Sequence, residues 1–246
     1  MKTLKIGDLL ARLPIIQGGM GVGISLSGLA SAVANQGGVG VISSAGLGVI
    51  YREHSKDYNT ASIWGLREEL RKAREKTKGI IGVNVMVAMS NFADMVRTAI
   101  AEKADIIFSG AGMPLNLPSF LTKGSKTKLA PIVSSARAAN AHLREMARQL
   151  QIRSRRDRGR GTQGRRTPGL QAGTDHRRTL LAGAAAARNR FGSPSFRHGA
   201  RHAHPGHRSR RLSTRAKTFI ASWTLGADGV QMGTRFVTTE ECDAST

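Results

Sequence analysis

From Ile6 to Asn140 the chain alternates short β-branched runs with stretches whose apolar residues recur every three or four positions. That alternation is the pattern of an α/β domain. Pro14-Ile15-Ile16-Gln17 reads as a short buried strand and Val39-Gly40-Val41-Ile42-Ser43 as the next. Between them, Ser25 or Ser27 is placed to cap a helix that buries Leu29, Ala30 and Val33. From Ile63 to Lys78, the residues Ile63, Leu66, Leu70 and Ala73 share one helical face, while Glu68 and Lys72 are spaced for a surface ion pair. Ile80 to Val87 is a nearly continuous apolar run, as expected of a strand covered on both faces. Asn91 is placed to cap a helix carrying Phe92, Met95, Val96 and Ile100, and Asp105 to Ser109 and Pro131 to Ser134 supply two more strands. Strands recurring with helices between them fit either a parallel barrel or an open doubly wound sheet, and periodicity does not separate the two.

The pattern breaks at Ala141 and returns at Leu225. Residues 141–224 show no sustained period of two or of 3.6 and contain runs such as RSRRDRGRGTQGRR. Such a stretch buries little apolar area, so it reads as a disordered basic segment. Leu225 to Phe236 (LGADGVQMGTRF) resumes the earlier alternation. Three zones follow: 1–140 and 225–246 as parts of one α/β domain, and 141–224 as an aberrant insert.

Charge sharpens this division. The formal net charge of +22 would suggest an anionic partner, yet nineteen arginines, a single lysine (Lys217) and only three acids lie between Ala141 and Thr224. The two flanking zones are close to balanced. The first fourteen residues are interrupted by Lys5, Asp8 and Arg12 and lack the apolar core of a secretory signal, and no segment is long enough to span a bilayer. The one cysteine, Cys242, excludes an internal disulfide and fits a reducing, cytoplasmic setting.

Pro14 to Gly21 (PIIQGGMG), Gly37 to Ser44 (GGVGVISS), Gly82-Val83-Asn84, Ser109 to Pro114 (SGAGMP) and Leu225 to Phe236 together resemble the nitronate monooxygenase (2-nitropropane dioxygenase) family in order and spacing. The resemblance covers Met1 to Asn140 and Leu225 to Thr246. It implies a (β/α)8 barrel of the TIM type, incomplete in this chain, holding FMN at the C-terminal ends of its strands and acting on a nitronate or nitroalkane with O2. By the same resemblance, Gln17, Gly18, Gly19 and Met20 line the isoalloxazine, Asn84 contacts the cofactor, and Gln231, Met232, Gly233 and Thr234 serve the phosphate. Physical chemistry agrees: a flavin needs close backbone approach and a nest of amide donors, and both favour glycine. Without the resemblance, Gly18-Gly19 would read as a plain turn, Met20 as core, and Asn84 as a group satisfying a turn backbone. Gly38-x-Gly40 lacks the third glycine of a dinucleotide fingerprint.

The family carries a catalytic histidine in a Gly-Gly-His stretch and, later, a phosphate-binding Ala-Ala-Gly-Gly strand; both are missing from this chain. The genetic code offers a reason. Ala203 to Arg211 (AHPGHRSRR), read one nucleotide later within suitable codons, gives Ile-Pro-Val-Ile-Ala-Ala-Gly-Gly. With the same offset Gly161 to Gln171 yields Gly-Gly-His, the histidine codon falling across Thr167 and Pro168. A second offset turns Ser213 to Thr224 into Asp-Glu-Gly-Glu-Asn-Ile-His-Arg-Leu-Leu-Asp, a helix-like stretch leading into Leu225. Three single-nucleotide changes, near Asn140, Arg211 and Thr224, would account for the aberrant zone and for its excess of arginine over lysine.

Two other functions compete. FMN-dependent enoyl-ACP reductases share the same glycine turns. The Arg-rich zone, with Arg158-Gly159-Arg160-Gly161, could bind nucleic acid through phosphates; with Phe191, Phe196, Phe219 and Trp223 as its only aromatics it offers little stacking, so sequence-specific binding is not expected. His198, His202, His204 and His207 sit in that zone without carboxylate or thiolate company, so no metal site is expected.

Overall fold

The computed structural model describes residues 3–133, 140–142, 144–150 and 227–244. The Arg-rich runs, the four clustered histidines, and Thr167 and Pro168 lie outside the described residues. Among the described residues eight strands form: β1 (Leu4–Ile6), β2 (Leu9–Ala11), β3 (Ile15–Gln17), β4 (Val39–Ser43), β5 (Ile80–Met86), β6 (Ile106–Gly110), β7 (Lys128–Pro131) and β8 (Val230–Met232). Among the described residues they are accompanied by the helices α1 (Ser27–Asn35), α2 (Leu47–Ile50), α3 (Tyr58–Lys76) and α4 (Phe92–Ala101).

β1 and β2 pair as an antiparallel hairpin, and the other six strands form one sheet in the order β7-β6-β5-β4-β3-β8, every pair parallel. From β3 to β7 the order never reverses, whereas a doubly wound sheet must reverse at its switch point. The late strand β8 lies against the first barrel strand, with Ile15 opposite Val230 and Gln17 opposite Met232. Consecutive order, with the last strand returning to the first, is the topology of a (β/α)8 barrel, here six strands of the curled parallel sheet among the described residues.

Side-chain alternation produces two cores. Val39 and Val41 of β4, Ile106 and Phe108 of β6, and Ala130 of β7 face inward and pack on Leu4, Ile6 and Ala11, so the hairpin plugs the inner face. Ile42, Ile81, Val83, Val85, Ile107 and Leu129 face outward beneath Leu66, Leu70 and Ala73 of α3 and Met95, Val96 and Ala99 of α4. The helical stripe read from the sequence is thus the buried one. Glu68 and Lys72 meet at 3.4 Å on its exposed side.

Four local expectations change. α3 begins at Tyr58, earlier than expected, because the Asp57 carboxylate accepts from the Thr60 amide at 2.7 Å. β7 is Lys128–Pro131, not Pro131 to Ser134: Leu129 and Ala130 carry the burial, and proline, lacking an N–H, stands at the strand's end. Neither Ser25 nor Ser27 caps α1, and Asn91 precedes α4 without capping it. Residues 140–142 and 144–150 are helical, with Met146 in the outer core, so the ordered pattern runs about one helix past Asn140, beyond the boundary read from sequence.

Candidate functional site

Parallel barrels present their chemistry where the strands end. At those C-terminal ends the chain brings together three segments far apart in sequence. The Gly18 amide donates to the Met232 carbonyl at 2.7 Å, extending the β3–β8 ladder into the turn. Gly19 lies against Asn84: a Cβ on Gly19 would stand 2.4 Å from the Asn84 Cβ, so only glycine fits. The Asn84 amide donates to the Gly19 carbonyl at 3.4 Å. A Cβ on Gly233 would lie 3.2 Å from the Met20 sulfur, which places Met20 over the β8 turn. All three predicted segments, 17–20, 84 and 231–234, therefore share one rim.

Their roles within it differ. Gln17 is fully buried, and its side chain serves the sheet. Its Nε2 donates to the Val41 carbonyl at 3.0 Å and to the Ser25 hydroxyl at 2.8 Å, and its Oε1 accepts from the Val41 amide at 2.8 Å. One side chain thus replaces ladder bonds between β3 and β4, whose backbones pair at Ile16 and Val39. Asn84 is half-buried and alternates with outward-facing Val83 and Val85, so it points to the inner face. Gln231 and Thr234 are exposed, and Met232 and Gly233 half-buried.

Sequence reasoning missed three supporting groups. The Ser25 hydroxyl accepts from the Met20 amide at 3.0 Å, folding the glycine loop back on itself. Ser44 donates its hydroxyl to the Asn84 carbonyl at 3.0 Å, fixing the end of β5. Glu69 is a buried carboxylate that accepts from the Ser27 amide at 2.6 Å and from the Tyr51 hydroxyl. Burial and that carboxylate push the Tyr51 phenol well above its ordinary value. Glu69 was visible in principle, since it falls between Leu66 and Leu70 on the apolar stripe of α3.

The rim suits FMN on two observations. At Gly18, Gly19 and Gly233 a Cβ would press on the Met232 carbonyl, the Asn84 side chain and the Met20 sulfur, so glycine lets the three turns pack backbone-close at the rim. Among the described residues, the Gly233 and Thr234 amides have no acceptor, which leaves donors for a phosphate at the end of β8. A cavity of about 580 Å³ lined by Asp8, Lys103, Lys126 and Thr127 opens elsewhere, beside the hairpin turn and the loop before β7. Its Asp8 is held below the ordinary carboxylate value by Lys128, with which it is paired. It lies at the N-terminal end of the strands, away from this rim. Among the described residues no group of three His, Cys, Asp or Glu could hold a metal ion, and no helix is long and apolar enough to cross a membrane.

Sheet and rim together define an α/β barrel of the TIM type. The chain belongs to the nitronate monooxygenase family, whose sequence profile matches residues 2–150. No curated protein matches it in sequence. It is similar in fold to FabK from Thermotoga maritima, with a TM-score of 0.56 and 23% identity over 96% of this chain and 62% of that one. A second similar structure is nitroalkane oxidase from Streptomyces ansochromogenes, with a TM-score of 0.57 and 16% identity over 95% of this chain and 68% of that one. The chain thus spans less than two thirds of the FabK length.

Proposed function

We propose that this chain is an FMN-binding barrel whose chemistry is the oxidation of alkyl nitronates by O2, at a rate reduced or abolished by loss of the family's histidine. The observation that carries this reading is the meeting of Gly18-Gly19-Met20, Asn84 and Gly233-Thr234 at the C-terminal ends of β3, β5 and β8, parallel strands of one sheet. In this reading Gly18 and Gly19 form a wall without side chains against the flavin ring, and Asn84 offers its amide from the inner face. The amides of Gly233 and Thr234, which have no acceptor among the described residues, hold the phosphate, with Gln231 and Met232 contributing through the β8 backbone. Gln17 keeps the wall in register from behind. Bound there, the flavin would accept electrons from the substrate and pass them to O2.

A nitronate is already an anion and needs no base, whereas a neutral nitroalkane must lose a proton first. The described histidines offer no obvious base: His54 stacks on Trp64, and His142 is buried on the helix after β7. Substrate preference for nitronate over nitroalkane follows. The test is purification of the 246-residue chain, measurement of retained flavin after desalting, and comparison of O2 uptake with nitronate, O2 uptake with nitroalkane, and NADPH-dependent reduction of an enoyl thioester. FMN retention with nitronate turnover supports the reading. Failure to bind FMN, or turnover of the enoyl thioester alone, overturns it, the latter in favour of the enoyl-reductase alternative. The nucleic-acid alternative concerns residues outside those described; high affinity for RNA surviving in concentrated salt would be needed to establish it.

A further inference from the structure

Among the described residues, the N-terminal amides of α1 are served by carboxylates alone. Helix N-termini leave their first amides without intrahelical partners, and here those amides belong to Leu26 and the residues after it. The Asp243 carboxylate accepts from the amides of Leu26 at 2.8 Å, Gly28 at 3.0 Å and Leu29 at 2.9 Å, and Glu69 takes the Ser27 amide between them. Asp243 comes from the far end of the chain. Gly28 is matched to it: a Cβ there would stand 2.3 Å from an Asp243 carboxylate oxygen. The neighbouring backbone joins in, the Asp243 amide donating to the Ile24 carbonyl at 3.3 Å and the Cys242 thiol lying 3.7 Å from the same oxygen.

This contact closes a circuit. Two loops meet at the rim, one running from Gly18 to Leu29 and the other from Gln231 to Asp243. At one end they are joined by the Gly18 amide on Met232, and at the other by Asp243 on α1. Between Gly233 and Asp243 the chain steps through successive turns, with Phe236 bonded to Gly233 at 2.8 Å, Thr239 to Phe236 at 3.3 Å and Cys242 to Thr239 at 3.2 Å. A displacement at Asp243 therefore has a continuous hydrogen-bonded route to the β8 turn. We infer that Asp243 is a positioning residue: its carboxylate, seated on the α1 amides as an internal anion, locks the glycine loop and the β8 turn into the geometry that takes a flavin phosphate. The flavin part of this inference rests on the function proposed above; the locking of the two loops does not.

The experiment uses the full chain and two readouts, amide hydrogen exchange at Gly18 and Met20 without added flavin, and FMN affinity by fluorescence quenching. Asp243→Ala is expected to speed exchange at both amides and to weaken FMN binding on the order of tenfold or more, as loss of bonds to a charged acceptor does. Added formate should restore both readouts in Asp243→Ala, because a small carboxylate can occupy the emptied amides. It should fail in the double variant Gly28→Ala, Asp243→Ala, whose new Cβ fills that space. Asp243→Asn, which keeps the shape but loses the charge, should fall between, and it decides the matter should Asp243→Ala not fold. Exchange unchanged in Asp243→Ala and Asp243→Asn overturns the inference whether or not FMN binds. Recovery with chloride equal to that with formate also overturns it, since screening would then suffice. If the parent chain binds no FMN while exchange responds as expected, the locking stands and only the flavin reading falls.

Discussion

Gln17 and Asn84 show what a single position reveals. Asn84 interrupts an apolar strand, so a polar group near the strand's end was legible. Its inward direction was not, because a run apolar on both faces does not say which face is inner; it is the outward packing of Val83 and Val85 that sets it. β3 has three residues, too few for alternation to assign a face. The sequence therefore located Gln17 at the rim but could not tell that its amide turns back onto Val41. Replacing Gln17 with leucine would strand the Val41 N–H and C=O at a site with no solvent, and each unpaired buried group costs about 1–3 kcal/mol. A loss of about 2–4 kcal/mol in urea unfolding is expected; a loss below about 1 kcal/mol would mean that the β3–β4 ladder closes without it. His142 gives a second prediction at this scale. It is 1% exposed, its Nδ1 has no partner among the described residues, and burial holds its pKa below the ordinary 6.5. The unfolded chain thus takes up a proton at 6.5 while the folded chain takes it up only at lower pH. Between those values the unfolded state binds more protons, so stability is full above 6.5 and falls as the solution is acidified through the window. His142→Leu should flatten that slope; an unchanged slope in the variant assigns the acid sensitivity elsewhere.

Among elements, α3 carries one pair that was legible and one group that was not. Glu68 and Lys72 follow the i, i+4 rule and meet as read, on the exposed face, where such a pair contributes about 1 kcal/mol or less. Glu69, one position on, does more. It holds the Ser27 amide of α1 and the Tyr51 hydroxyl beyond α2, so a buried carboxylate joins three elements around the β4 end. Helical periodicity ranks residues by side-chain polarity, and an acid on the apolar face reads as an interruption unless its partners are known. Those partners are a backbone amide and a phenol distant in sequence, which no local pattern encodes. Glu69→Ala should cost about 2–4 kcal/mol, because it leaves the Ser27 amide and Tyr51 hydroxyl without acceptors. Lys72→Ala, beside it on the helix, should cost about 1 kcal/mol or less. Equal losses in urea unfolding for the two variants would refute the distinction.

For the whole molecule, the strand-helix alternation was enough for an α/β fold, but barrel and open sheet were separated by the return of β8 to β3, a contact spanning more than two hundred residues. The hairpin that plugs the inner face escaped notice because strands of three residues carry no readable period. A closed barrel of this class needs eight parallel strands, and the described residues supply six, with β7 and β8 at the sheet's two edges. The family profile stops at residue 150, close to where the reading frame is inferred to slip. If three single-nucleotide changes displaced the frame over 141–224, restoring it returns the Gly-Gly-His and Ala-Ala-Gly-Gly stretches to the sequence between β7 and β8. The restored protein should then retain FMN through desalting in a ratio near one, resist unfolding to higher urea concentration than the 246-residue chain, and turn over neutral nitroalkane as well as nitronate. The first two gains come from completed strands and phosphate donors, the third from the histidine, so His→Asn at the restored position should remove only the nitroalkane rate. A restored chain that binds no more flavin than the present one would place the defect outside residues 141–224 and would leave the codon pattern without structural meaning.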